Sequence, residues 1–350
     1  MKYCKFGVLC VLFAALLLAG CAEKTVSVAA PDTVSAMMTS TMEPDGLTEM
    51  NFVHFDGQFL YVCDYDTVYR CSPDLTRKEI VYRRERDSKS FIHSFLFFDE
   101  NTLILDLTKG AYVKVDLRNG EEAPLYPKHD ANSSIAMVPT KIGNRLYSRD
   151  LLFNEYRSDV LMVEVDGEWT EFLTGIADWG YDGGSIYYKL SGDNAIYKCD
   201  MDGKNSEKVF EPKEIDAFRV YKGKLFYSGW ANYTQGVYDM KTGREYTISH
   251  IDLFYLSSMQ FCDGFIYRPW GGGVYQKMDV DRYTMEEITL SQVLRDVYYL
   301  SAVELNATYF IGEYAYLREI LRTFHNGEYP ISDVRIIRQN LVDGSVEKVV

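Results

Sequence analysis

The stretch that decides the fold is DGGSIYYKLSGDNAIYKCDMDG, which runs from Asp182 to Gly203. Two tyrosine-rich runs flank a small polar turn, and an Asp-Gly dipeptide stands near each end. Asp-Gly supplies the positive φ angles that a two-residue hairpin turn needs, and Tyr, Ile and Val favour strands. The stretch therefore predicts antiparallel strands that are joined by tight turns.

Related stretches recur along the chain at a nearly constant interval. The aligned positions are 44, 42, 40, 40, 40 and 43 residues apart; they are Tyr61, Leu105, Tyr147, Tyr187, Tyr227, Tyr267 and Phe310. Each unit holds four strand-like segments, which we call A to D, and a period of this length without helical segments is typical of propeller blades. We predict an all-β fold, a seven-bladed β-propeller of four-stranded blades. A β-sandwich is the alternative, but it does not predict a constant period.

The predicted blades cover the chain from residue 47 to its last residue. Their approximate bounds are 47–86, 91–127, 134–173, 174–211, 215–249, 253–290 and 298–350. Turns with glycine join segments A and B and segments C and D, as at Asp263-Gly264 and Asp202-Gly203. In a propeller these two sets of turns share one face, and the B–C and D–A connections share the other.

The first residues, MKYCKFGVLCVLFAALLLAGC, predict export. Lys2 and Lys5 precede an apolar run that is too short to span a bilayer and fits a signal peptide. Leu18-Ala19-Gly20-Cys21 resembles the lipobox of bacterial lipoproteins. That resemblance implies that residues 1–20 are a signal peptide and that Cys21 becomes the first residue, with diacylglyceryl and palmitate-type acyl chains. An ordinary secretory signal is the alternative.

Residues 21–46 predict a flexible linker. They are rich in small residues, Ser and Thr, and contain two prolines, so they cannot bury enough apolar surface to fold. We expect the propeller to be held on the extracytoplasmic side of a cell membrane by the N-terminal lipid. Whether the envelope has one or two membranes is not determined by the sequence.

The charge of the chain restricts its partners. Lys and Arg number 37 against 51 Asp and Glu, which gives a formal net charge of −14. Nucleic-acid binding needs a basic surface, so we expect no nucleic-acid partner. Anionic headgroups are repelled as well, so membrane contact is expected only through the lipid.

Four of the seven cysteines belong to the predicted propeller: Cys63, Cys71, Cys199 and Cys262. Cys63 and Cys71 fall on adjacent segments of one hairpin, so a cross-strand disulfide is one option. Cys71 and Cys199 occupy the same position of the repeat, which favours small buried thiols instead.

The Tyr-rich B segments and the IYKCDMDG-type C segments resemble the YWTD-type propellers of lipoprotein-receptor ectodomains. They resemble uncharacterised propeller lipoproteins of bacteria more strongly. The resemblance covers residues 47–350 and implies the fold. No unit contains the letters YWTD, so the receptor function of that family does not carry over.

The B–C and D–A connections vary in length and gather aromatic residues, so we place the binding surface on that face. The predicted ligand-binding residues come from the B–C loops of blades 3, 5 and 6: Phe153, Tyr156, Trp230, Tyr233, Arg268 and Trp270. Exposed Trp and Tyr offer large rigid contact area to sugars or protein side chains. The alternative is that these rings pack on neighbouring loops.

The segment Gly312–Asp333 reads as a long insertion between segments B and C of blade 7. Within YAYLREILRTF, Leu317, Ile320, Leu321 and Phe324 fall at helical spacing. We predict a short helix over the propeller mouth, with a longer strand pair as the alternative.

Catalytic and metal-binding patterns are weak in this sequence. No GxSxG, Gly-rich phosphate loop or zinc motif occurs, and the five histidines have no HxH or HxxxH spacing. We expect no cofactor and no metal. Carboxylates at the mouth could form a glycosidase-like pair, and the candidates are Asp106, Asp150, Glu155 and Glu313. The histidines that map near the same face are His93, His129, His250 and His325.

These observations favour a lipid-anchored binding module over the other classes of function. Its partner would be a protein, peptide or glycan of the cell envelope, bound through the B–C and D–A connections. The first alternative is a scaffold of an envelope protein complex. The second is an enzyme that acts on envelope glycans or peptides. The ligand and the oligomeric state are not determined by the sequence.

Overall fold

The chain folds into seven antiparallel sheets arranged in a ring, a seven-bladed β-propeller, so the predicted fold is confirmed. This computed structural model describes residues 41, 47–85, 91–108, 111–126, 138–152, 157–248, 251–271, 273–290, 301–323 and 331–350. The predicted signal peptide, Cys21 and most of the predicted linker lie outside these residues. Within the described ranges, no helix is long and apolar enough to cross a bilayer.

Each blade contains four strands in chain order, A to D from the centre outward. Blade 1 has β2 (Val53–Phe55), β3 (Leu60–Cys63), β4 (Thr67–Cys71) and β5 (Lys78–Arg83); blade 2 has β6 (Ile92–Asp99), β7 (Thr102–Leu107), β8 (Ala111–Asp116) and β9 (Glu121–Pro124); blade 3 has β10 (Thr140–Ile142), β11 (Arg145–Leu152), β12 (Arg157–Val165) and β13 (Glu168–Thr174). Blade 4 has β14 (Ile176–Asp182), β15 (Ser185–Leu190), β16 (Ile196–Cys199) and β17 (Glu207–Phe210); blade 5 has β18 (Ala217–Tyr221), β19 (Lys224–Gly229), β20 (Thr234–Asp239) and β21 (Arg244–Tyr246). Blade 6 has β22 (Gln260–Cys262), β23 (Phe265–Gly271), β24 (Val274–Asp279) and β25 (Met285–Thr289); blade 7 has β26 (Ser301–Ile311), β27 (Tyr314–Thr323), β28 (Ile331–Asn340) and β29 (Val346–Lys348).

Short turns of two kinds make up one face, which we call the turn face. At the A–B turns of blades 5 and 6, Lys222-Gly223 and Asp263-Gly264 all have positive φ, as two-residue hairpins require. The C–D turns use a carboxylate or amide at the end of strand C. The Asp239 and Asp279 side chains, for example, each accept hydrogen bonds from backbone N–H groups two and three residues later. The other face, the loop face, carries the B–C and D–A connections.

An additional strand, β1 (Leu47–Glu49), lies inside the ring. It pairs antiparallel with β10, the innermost strand of blade 3. Asn51 then forms a bridge to Phe95 of blade 2 before the chain enters blade 1. The N-terminal part of the described chain therefore occupies the central channel instead of forming only the start of blade 1.

The hydrophobic core is divided among the seams between blades. One large cluster joins blades 7, 1 and 2 and includes Ile311, Phe55 and Ile92. Smaller clusters join the other neighbours, as where Tyr267 of blade 6 stacks on Phe310 of blade 7 with ring centroids 4.0 Å apart. Burial of both sheet faces explains why the blades read as nearly continuous apolar runs.

Blade 7 differs from the prediction in two ways. The predicted helix is wrong, because Tyr314–Thr323 is strand β27 and pairs with both β26 and β28; the alternative of a longer strand pair is correct. Phe310 lies in strand A of the blade, not in strand B with the other aligned positions. A central strand buried on both faces loses the alternation that marks a strand, so its apolar spacing resembled a helix.

The cysteines of the propeller are free thiols. In the β3–β4 hairpin, Cys63 lies opposite Val68 and Cys71 opposite Leu60, so the two sulfur atoms belong to different cross-strand pairs. Burial raises the pKa of Cys63 to about 12 and that of Cys71 to about 11. The disulfide option is therefore wrong for this structure, and the buried-thiol alternative is correct.

Candidate functional site

The B–C loop of blade 5 is held from below by two carboxylates. The Asp216 side chain accepts a hydrogen bond from the Trp230 backbone N–H at 2.6 Å. The Glu214 side chain accepts from the Ala231 and Asn232 backbone N–H groups, at 2.6 and 2.8 Å, and from the Asn232 amide at 2.8 Å. Burial would raise the pKa of Glu214, but these hydrogen bonds hold it below its usual value. The loop is thus fixed in a shape that leaves Trp230 exposed.

The D–A connection from blade 5 to blade 6 forms a short 3-10 helix, Leu253–Ser258. Asp252 caps its start by accepting a hydrogen bond from the Phe254 N–H. The Gln235 side chain, on strand C of blade 5, accepts from the Leu253 N–H and donates to the carbonyl oxygens of Ile248 and Ile251. The helix buries Leu253 and Leu256, which leaves Phe254 and Tyr255 on its outer side.

Arg268 lies beneath the surface between this helix and the B–C loop of blade 6. It is only 6% exposed. Its guanidinium donates to Asp252 and to Gln276, each at 2.9 Å. The same group lies 4.6 Å from the ring centroid of Trp270, a cation–π contact. Arg268 therefore links strand C of blade 6, the cap of the 3-10 helix and the exposed indole.

Together these elements form an exposed patch that we call the aromatic cluster: Trp230, Tyr233, Phe254, Tyr255 and Trp270. Phe254 is the centre, with its ring centroid 4.9 Å from Trp230 and 5.8 Å from Tyr233. Tyr255 meets Trp230 edge to face at 6.1 Å. The exposed fractions are 48% for Trp230, 76% for Tyr233, 52% for Tyr255 and 56% for Trp270. Adjacent exposed rings of this size mark an interaction surface.

Four of the six predicted ligand-binding residues belong to this region: Trp230, Tyr233, Arg268 and Trp270. Their role in binding stays a prediction, and the burial of Arg268 makes it a support for the cluster. Phe153 and Tyr156 lie outside the described residues. Phe254 and Tyr255 were missed. The signal for them was the stretch DLFYLSS, where a capping Asp precedes two aromatic residues in a D–A connection.

Among the described residues, the candidate catalytic carboxylates are not brought together as a pair. Glu313 lies in the A–B turn of blade 7, on the turn face, so its predicted place at the mouth is wrong. Asp106 is the second-last residue of strand B of blade 2. Burial raises its pKa to about 6, opposed by a hydrogen bond from Ser94 and by the nearby Arg318 charge. Glu155 lies outside the described residues, and the side chain of Asp150 is not described.

The histidines are also dispersed. His54 is buried and contacts the Phe95 carbonyl oxygen at 3.0 Å, and burial lowers its pKa to about 4. His93 lies at the start of strand A of blade 2. His129, His250 and His325 lie outside the described residues. Within the parts of the chain that the structure describes, no three His, Cys, Asp or Glu side chains come close enough to hold a metal ion.

A shallow depression of about 280 Å³ lies between blades 3 and 4 on the turn face. Its lining residues are Ile142, Gly143, Asn144, Arg145, Tyr181 and Met201. Arg145 donates to the Met201 carbonyl oxygen at 2.8 Å and lies 3.6 Å from Asp202. These contacts serve the packing of the two blades, so the aromatic cluster is the stronger candidate site.

Comparison with known proteins places the chain by fold and not by family. No protein-family model matches it, and no curated protein matches it. Many solved structures do, and β-propellers are prominent among them. A puromycin hydrolase matches with a TM-score of 0.50 and 12% identity over 86% of this chain and 53% of that chain. The chain thus spans about half the length of that hydrolase.

Two further similar structures are a BamB from Moraxella catarrhalis and YCF48 bound to a D1 peptide. BamB is 14% identical over 88% of this chain and 96% of that chain, with a TM-score of 0.43. YCF48 is 9% identical over 87% of this chain and 96% of that chain, with a TM-score of 0.42. Similarity at this level concerns the fold alone, and a propeller is compatible with a binding module or a scaffold.

Proposed function

We propose that this protein is a lipid-anchored binding module of the cell envelope that presents its loop face to a protein or peptide partner. The observation that carries the proposal is the aromatic cluster around Phe254. Three separate connections, from blades 5 and 6, are held by hydrogen bonds so that large rings remain in solvent. Rigid Trp and Tyr side chains with little conformational freedom to lose are typical centres of binding energy.

The path of the N-terminal segment supports the orientation that such a module needs. The Thr41 backbone N–H donates to the Phe55 carbonyl oxygen at 2.6 Å, and Phe55 ends strand A of blade 1 at the turn face. Leu47 pairs with Ile142, which also ends its strand at that face. A tether that enters the ring from the turn face would direct the opposite, loop face away from the membrane.

The anchor is tested by acylation. Cells that express the protein are labelled with a palmitate analogue, and the Cys21→Ser variant serves as the matched control. We expect label on the natural chain and none on the variant, which would remain a longer precursor. Equal labelling of both, or none of either, would contradict the anchor while leaving the binding surface to be tested separately.

The binding surface is tested by crosslinking and capture from intact cells. We expect partners captured by the natural chain to be lost when Trp230→Ala and Trp270→Ala are combined. The control combines Ile80→Ala and Val342→Ala, two side chains that are 52% and 73% exposed but lie outside the cluster. If the tryptophan variant and the control capture the same partners in equal amount, the site assignment is wrong.

A further inference from the structure

We infer that the aromatic cluster binds a cationic side chain, a lysine or arginine presented by a protein or peptide. This inference names the chemistry of the partner for the site described above and therefore rests on the proposed function. Three features of the described residues carry it: the direction of the loop amides, the free ring faces and the local charge.

The B–C loop of blade 5 turns its hydrogen-bond donors inward. The backbone N–H groups of Trp230, Ala231 and Asn232 are all taken by the carboxylates of Asp216 and Glu214. The side-chain amide of Asn232 also donates to Glu214. In a trans peptide the carbonyl points opposite to the N–H, and no cis peptide bond occurs in the described chain. The carbonyl oxygens of Trp230 and Ala231 therefore point away from Glu214, and that of Trp230 accepts a hydrogen bond from the Tyr233 backbone N–H at 3.4 Å.

The exposed rings beside these carbonyl groups differ in whether a cation of the chain already lies against them. Arg268 lies 4.6 Å from the centroid of Trp270 and 5.8 Å from that of Tyr255. Among the described cation–ring contacts, none involves Trp230 or Tyr233. An indole face is the best aromatic surface for an ammonium or guanidinium group. The exposed faces of Trp230 and Tyr233, with the Ala231 carbonyl oxygen beside them, therefore offer acceptors to a cation.

The charges around the cluster also favour a cation. Glu214, Asp216 and Asp252 lie under the loops, and hydrogen bonds keep the pKa of Glu214 low, opposed by burial, so that it stays ionised. The nearby cations are Arg268, which is buried against Asp252, and Lys213 beside Glu214. The whole chain carries a formal charge of −14. An acidic partner would meet repulsion both at long range and at the site.

The test uses short peptides with lysine or arginine in a neutral glycine-serine background, and the same lysine peptides after acetylation. Binding to the complete propeller is measured by titration calorimetry at low and moderate salt. Acetylation removes the charge and keeps the length of the side chain. We expect acetylation, and separately Trp230→Leu, to weaken binding by about 3- to 30-fold, the range of exposed to desolvated cation–π contacts. Val342→Ala should bind like the natural chain.

The outcomes separate this inference from the proposed function. Equal binding of charged and acetylated peptides, or no binding of either, overturns the inference. Peptide binding that Trp230→Leu leaves unchanged also overturns it, because attraction to the acidic chain as a whole would then be the cause. If a glycan array gives binding that depends on Trp230, the cation inference fails while the binding surface stands. If no probe and no captured partner depends on Trp230, both fail.

Discussion

Two arginines, Arg318 and Arg268, lie against aromatic rings in different parts of the propeller. Arg318, on strand B of blade 7, is 1% exposed and donates to the carbonyl oxygens of Ile92 and His93 at the start of blade 2. Arg268 is nearly as buried, but its partners are Asp252 and Gln276, and the ring that it contacts is exposed. The first arginine joins distant blades, whereas the second supports a surface.

The carboxylates of the two regions, the surroundings of Arg318 and the aromatic cluster, also differ in the direction of their pKa shifts. Near Arg318, burial raises the pKa of Asp106 and of Asp64. Under the B–C loop of blade 5, burial would raise the pKa of Glu214, but hydrogen bonds from Asn232 and Ala231 hold it below its usual value. The surroundings of Arg318, where blade 7 contacts blade 2, therefore disfavour charged carboxylates, whereas the aromatic cluster keeps Glu214 charged. This difference separates a region that joins blades 7 and 2 from the surface that we propose binds a partner.

The largest expected effect on stability is at Arg318, where blade 7 contacts blade 2. Arg318→Met keeps the length of the side chain but leaves the carbonyl oxygens of Ile92 and His93 without these donors. Unsatisfied buried groups cost about 1–3 kcal/mol each, so we expect the free energy of unfolding in denaturant titrations to fall by about 2–4 kcal/mol. The control Arg282→Met, in an exposed turn, should change it by less than about 0.5 kcal/mol. Equal stability of both variants would mean that Arg318 does not stabilise the contact between blades 7 and 2.

A smaller loss of stability is expected at Gly229, next to the Glu214 side chain that holds the B–C loop of blade 5. A Cβ atom on Gly229 would lie 2.7 Å from the Thr234 hydroxyl oxygen and 2.8 Å from the Glu214 Cγ atom. Gly229→Ala should therefore displace Glu214 and lower the free energy of unfolding by about 1–3 kcal/mol. Gly180→Ala is the matched control, because its Cβ would meet its neighbours at 3.8 Å. The comparison fails if the two substitutions have the same effect in thermal unfolding.

Asp106→Asn should stabilise the protein at neutral and higher pH. A carboxyl group whose pKa rises from 3.8 to about 6 on folding binds protons more tightly in the folded state. Its contribution to stability therefore falls as the pH rises through that range and stays low above it. We expect the variant to be more stable than the natural chain by about 1–2 kcal/mol at pH 8, and the gain to vanish near pH 4. A gain that does not change with pH would contradict the effect of burial.

Glu214→Gln should act in the opposite direction and with the smallest effect. A carboxyl group whose pKa is lowered on folding stabilises the protein above its unfolded pKa, and this contribution is lost as the pH falls through the folded value. The variant should be slightly less stable than the natural chain at neutral pH, and the difference should shrink in acid. Denaturant titrations across the same pH series measure both carboxylates. If Glu214→Gln instead raises the free energy of unfolding at high pH, as is expected of Asp106→Asn, the carboxylates of the two regions do not differ in the direction of their pKa shifts.

Blade 7 and the aromatic cluster show how much of the structure could be predicted from the sequence. The period near 40 residues and the glycine turns were sufficient to predict the blades, because hairpin turns act locally. The register of blade 7 could not be predicted, since its strands are longer than in the other blades and buried on both sides. Trp230 and Trp270 could be selected as exposed rings from their loops. The burial of Arg268 beneath them depended on contacts with Asp252 and Gln276, which are remote from one another along the chain.

The repeating unit, the turns and the face that carries the variable loops could all be predicted from the amino-acid sequence. These features depend on residues that are close along the chain, so their pattern is visible in one dimension. The contacts of Arg318 with blade 2 and the position of β1 in the channel became visible only in the folded structure. The folded structure also shows that Phe254 joins Trp230 and Tyr233 into one surface. Each of these depends on side chains or strands from different blades, and they meet only because the ring closes.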